Sequence, residues 1–129
     1  MWTRIGVLTR LLNIMKTPRG RGRLHLQIGG AIVSRKGDLN EAIKHYEKAL
    51  EGLTREKDPE EWALAKRAAG EAYYYKADST SDLGKVVRYY REALTVFTPE
   101  KYPDEGLVEE IAMIEDAVAK GKPLPERSQ

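Results

Sequence analysis

The chain has 129 residues, 33% charged and 41% hydrophobic, enough for one domain with a modest core. It contains no cysteine, which excludes a disulfide framework and thiolate metal sites and fits a reducing, cytoplasmic compartment better than a secreted one. The net charge of +2 conceals a split: residues 1–23 hold Arg4, Arg10, Lys16, Arg19, Arg21 and Arg23 with no acid, +6, while the remainder holds 16 bases against 20 acids, −4.

Residues 1–16 read as an amphipathic helix. Trp2, Ile5, Leu8, Leu12 and Met15 fall at helical spacing, and Val7, Leu11 and Ile14 form an adjacent stripe. A helix apolar over so much of its circumference is expected to be wedged between two surfaces. Thr17-Pro18-Arg19-Gly20-Arg21-Gly22-Arg23 reads as a basic Pro/Gly linker over 17–23. A helix from about Leu24 to Lys36 follows, closed by Gly37 in a left-handed conformation, with Asp38 capping the next, about Leu39 to Thr54. Asp58-Pro59-Glu60-Glu61 opens a helix that runs to about Ala77: Asp as N-cap, Pro at the first position, acids in the first turn. After the polar turn Asp78-Ser79-Thr80-Ser81 comes a helix from about Leu83 to Phe97. Pro103-Asp104-Glu105 repeats the earlier opening for a last helix to about Lys120. Residues 123–129 read as a tail. The predicted class is all-α.

The chain nearly repeats itself: His45–Glu61 aligns without gaps on Tyr89–Glu105, 44 positions later, with Tyr, Ala-Leu, Thr, Glu-Lys, Pro and Glu in register. Such a period marks stacked supersecondary units.

Lys36-Gly37-Asp38-Leu39-Asn40-Glu41-Ala42-Ile43-Lys44-His45-Tyr46-Glu47-Lys48-Ala49-Leu50 resembles the second-helix pattern of tetratricopeptide (TPR) repeats, in the longer-period variety of about 42–44 residues also found in kinesin light chains and bacterial signalling scaffolds. The resemblance implies a TPR-like domain over 24–122: about two helix pairs stacked in an α-α superhelix, then a C-terminal capping helix. It makes Ala42, Tyr46 and Ala49, and in the second unit Gly70, Tyr73, Tyr90 and Ala93, the structural repeat positions. Val86 stands where the first unit has Ala42; Ile114 and Ala117 stand where the second has Gly70 and Tyr73. The Lys and Asn with which several TPR adaptors grip a C-terminal carboxylate are replaced by Gln27, Ala31, Arg67 and Glu71, so that activity does not carry over.

Catalytic chemistry finds no support. His25 and His45 lie on different predicted helices without metal-ligand spacing, and no cofactor or metal is expected. Glu60-Glu61, Glu109-Glu110 and Glu115-Asp116 are adjacent and splay apart on a helix. No nucleophile has a nearby base. Tyr73, Tyr74 and Tyr75 sweep roughly 200° of a helix, so Tyr74 or Tyr75 is expected to face a concave groove with Gln27, Arg67 and Glu71.

The leading expectation is a non-enzymatic interaction scaffold that associates with itself, head to tail, into an extended helical or tubular assembly. The association surface is Trp2, Ile5, Leu8, Leu11, Leu12 and Met15, flanked by Arg4 and Arg10, and the basic arm favours an acidic neighbouring body. The alternative is a monomeric adaptor that takes a peptide of another protein in the groove. A third reading, nucleic-acid contact by the basic arm, is opposed by the acidic body and the lack of interleaved aromatics; membrane contact fits helix 1–16 only in part.

Overall fold

The computed structural model describes residues 3–77, 80–103 and 106–122; Trp2, Asp78–Ser79, Asp104–Glu105 and the tail 123–129, each given a role above, lie outside them. Six helices run in order, α1 (Arg4–Ile14), α2 (Pro18–Ser34), α3 (Leu39–Gly52), α4 (Pro59–Lys76), α5 (Thr80–Leu94) and α6 (Leu107–Lys120), with no strand among the described residues. Contact is densest within the pairs α2/α3 and α4/α5, and looser where α1 meets α2, α3 meets α4 and α5 meets α6. The fold is thus two helix pairs in series, with one helix before them and one after.

Each pair closes on a tyrosine set against a glycine. Tyr46 of α3 lies over Gly29 of α2, where an added Cβ would fall 2.6 Å from its ring; Tyr90 of α5 lies over Gly70 of α4, where the distance would be 2.7 Å. The bare backbone lets a flat, buried ring fill the space between two helices. Ala42, Ala49, Val86 and Ala93 are fully buried alongside, and Tyr73 stacks edge-on to Tyr89 at 5.8 Å. Burial pushes the Tyr46 hydroxyl up to about 12.

The expected linker at 17–23 is not a linker: Pro18–Arg23 is the first part of α2. Thr17 is its N-cap, accepting from the Gly20 amide at 3.0 Å, and Pro18 sits in the first turn, where a missing N–H costs nothing. The glycines permit close approach. A Cβ at Gly22 would meet the Ala49 carbonyl oxygen at 3.0 Å, and one at Gly52 would collide with the Pro18 carbonyl.

Other boundaries differ from expectation. α5 begins at Thr80, within the expected polar turn, and ends at Leu94 rather than Phe97. Lys36, not Gly37, takes the left-handed conformation (φ 56°) after α2. The Gly37 amide then donates to Ile32 O at 2.8 Å and the Lys36 amide to Val33 O at 2.9 Å, the paired closure of a helix end. α6 begins at Leu107 rather than near Pro103, behind left-handed Gly106. The chain from Thr98 to Tyr102 turns instead, with Tyr102 stacked edge-on to Phe97 at 4.9 Å.

Candidate interaction surfaces

α1 is built with two apolar stripes. Thr3 caps it, accepting from the Gly6 amide at 2.9 Å. Leu8 and Leu12 are buried, and Ile5 and Met15 pack partly buried against the same core. The adjacent stripe stays open: Val7 is 42% exposed, Leu11 41% and Ile14 71%. With Arg10 and Asn13 these three line a trough of about 690 Å³. α1 therefore docks in cis through half of the expected association set, Ile5, Leu8 and Leu12 on the helix and Met15 at its C-cap. Leu11 remains outward, joined by Val7 and Ile14. Arg4 and Arg10 lie at the exposed surface.

The far end of the stack exposes a second apolar surface. α6 buries Leu107, Ile111, Ile114 and Ala117 but leaves Val108 46% and Val118 40% exposed. Leu83 and Val87 of α5 with Ile114, Val118 and Ala119 line a concavity of about 370 Å³ there.

The basic arm is engaged within the chain. Arg19 Nε donates to Asp58 Oδ1 at 2.7 Å and Arg23 Nη2 to the same oxygen at 3.2 Å, while Arg23 Nε donates to Glu61 at 2.8 Å. Arg21 Nη1 donates to the carbonyls of Leu12 at 2.6 Å and Met15 at 3.2 Å, satisfying the end of α1. Asp58 consequently does not cap α4 with its side chain, as its place before Pro59 had suggested; its buried carboxylate is the ion-pair partner of α2. These three arginines bind the chain to itself, from a helix rather than from the expected linker.

The expected groove is only partly assembled. Gln27 is exposed, and Arg67, Glu71 and Tyr75 are half-buried. Of the two candidates Tyr74 is buried, which leaves Tyr75 as the more open ring; the two meet edge-on at 6.2 Å. Arg67 lies over the Phe97 ring at 5.4 Å, a cation–π contact that directs it toward the end of α5.

Two histidines that sequence spacing left unrelated meet across α2 and α3, with His25 Nδ1 and His45 Nδ1 2.9 Å apart. Burial lowers both; His25, beside His45, Lys48 and Arg21, falls to about 4. One ring must donate and the other accept, so the contact requires at least one neutral imidazole. Nothing in their sequence positions pairs them; the signal was the α2/α3 register. A second missed contact joins successive pairs: the Tyr89 hydroxyl donates to Glu47 Oε1 at 2.7 Å, and burial together with that bond raises its pKa. Among the described residues no group of three or more His, Cys, Asp or Glu is arranged to hold a metal ion, and no helix is long and apolar enough to cross a membrane. Compared with protein-family models, curated proteins and solved structures, the chain has no significant match.

Proposed function

We propose that this protein is a non-enzymatic, TPR-type interaction scaffold whose function is to associate with itself. The observation that carries this is the open stripe Val7, Leu11 and Ile14 on a helix whose other apolar stripe is already covered. Large side chains aligned along one helix face, beside a trough and rimmed by Arg10, have the form of an interface. Burying the exposed parts of three such side chains is worth about 1 kcal/mol each, below the several kcal/mol that association costs. The partner surface must supply the rest, and the assembly is expected to depend on concentration.

Size-exclusion chromatography with light scattering, run over a wide concentration range, tests this. The expected result is species above the 14.6 kDa monomer that grow with concentration and vanish in Leu11→Asp. A monomer at every concentration would overturn the reading and move attention to a peptide held beside Tyr75.

A further inference from the structure

Each helix of the two complete pairs packs on its own partner and on the adjoining helix of the next unit, on faces set apart around its axis, and α2 and α4 also touch each other. At about 100° per residue, α5 turns Val86, Tyr89, Tyr90 and Ala93 toward its own partner α4, and roughly 100° further round turns Leu83, Val87 and Leu94 toward α6. α1 repeats this arrangement. Ile5, Leu8, Leu12 and Met15 correspond to the face α5 turns toward α6, and lie against the core on the α2 side. Val7, Leu11 and Ile14 lie roughly 100° back, where α5 holds its partner. α1 is thus the second helix of a pair whose first helix is missing among the described residues.

α6 has the opposite deficiency. α4 meets α3 through Ala65 and Trp62, and α5 through Gly70, roughly 100° further round. α6 meets α5 through Leu107, Ile111 and Ile114. Turning in the same sense from there brings Val108, Ala112 and Ala119, all exposed, to the position where a partner helix belongs. α6 is the first helix of a pair whose second is missing among the described residues.

We infer that α1 of one copy docks on the Val108–Ala112–Ala119 face of α6 of the next, so that two copies build a composite helix pair and the stack continues head to tail. This rests on the reading above that the Val7–Leu11–Ile14 stripe is a self-association surface, and it names that stripe's partner. Charge favours the same match: α1 carries Arg4 and Arg10 and no acid, whereas α6 carries Glu109, Glu110, Glu115 and Asp116 against Lys120. α1 against α1 would juxtapose only cations, and α6 against α6 mostly anions. The contact is heterologous, so copies add without an intrinsic stop unless the rotation closes a ring.

Two variants at exposed positions test the pairing, Leu11→Asp on α1 and Ala112→Asp on α6, each checked for wild-type helicity. Each alone is expected to be a monomer. Mixed, they retain one intact surface of each kind, and should form a complex of twice the monomer mass and nothing larger. If Leu11→Asp is monomeric while Ala112→Asp assembles like the wild type, the composite pair is overturned but self-association through α1 stands. If both are monomeric yet their mixture forms no complex, the pairing is overturned as well. A wild-type protein that is monomeric throughout overturns the underlying reading along with it.

Discussion

At the scale of single residues, two glycines set how closely the paired helices approach. The Tyr46 ring is buried against Gly29 and the Tyr90 ring against Gly70. Alanine normally favours a helix over glycine by about 1 kcal/mol, so Gly29→Ala in an isolated helix would be stabilising. Here the added methyl would sit 2.6 Å from Tyr46 Cε1, and overpacking of this kind typically costs about 1–3 kcal/mol. Steric crowding therefore outweighs propensity. Gly29→Ala and Gly70→Ala are each expected to lower the denaturation midpoint, while Gly30→Ala, where a Cβ meets nothing within 4 Å, is expected to be neutral or stabilising. Chemical denaturation of the three variants checks this; equal effects at Gly29 and Gly30 would show that the ring yields. Tyr46 was legible in the sequence as a repeat position. Gly29 carries no such signal, because its spacing to Tyr46 is shorter than that of Gly70 to Tyr90.

At the scale of elements, apolar spacing disclosed α1, while the end signals placed the starts of α3 after Asp38 and of α4 at Pro59. Ala42, Tyr46, Ala49, Tyr90 and Ala93, the repeat positions, all lie in the interior. The start of α2 was misplaced because Pro18, Gly20 and Gly22 are the residues that punctuate linkers. The same Pro begins a helix when Thr17 precedes it as N-cap, and the glycines serve contact with α3. Pairings between elements were invisible, since they depend on register: the arginines on Asp58 and the joined histidines are of this kind. The histidine contact makes the α2/α3 pair sensitive to acid. In the unfolded chain an imidazole takes up a proton near its ordinary 6.5, whereas His25 in the fold resists until about 4 and His45 is also lowered. Between those values the unfolded state binds more protons, so the contribution is complete above about pH 6.5 and is lost as pH falls toward 4. Lys48 and Arg21 add to the repulsion at His25, and Glu41 partly offsets it at His45. Thermal melts at pH 7.5 and pH 4.5 are expected to show a fall in Tm that is smaller in His45→Gln, where the second imidazole is gone. An equal fall in both would assign the acid sensitivity to the carboxylates.

At the scale of the whole molecule, two complete pairs are fewer than the about three units that stacked repeats usually need, and the described chain adds half a pair at each end. The half at α1 has a double character that one deletion would confuse. Removing residues 1–16 would take away the stripe that covers α2 and the carbonyls that hold Arg21 together with the open stripe, so lost stability and lost assembly would arrive together. Single substitutions on the same helix separate them. Leu8 is buried on the α2 side, and Leu8→Ala should cost about 2–4 kcal/mol in denaturation while leaving the outward stripe intact. Leu11 is 41% exposed, and Leu11→Ala should change monomer stability by about 0.5–1 kcal/mol while weakening association. Denaturation at a concentration low enough to keep the protein monomeric measures the first quantity, and light scattering at high concentration measures the second. The expected outcome is a crossed result, with Leu8→Ala the less stable monomer that still assembles below its melting temperature and Leu11→Ala the stable monomer that assembles poorly. If the two variants move together on both axes, α1 acts only as a cap on its own chain, and its outward stripe has no separate role.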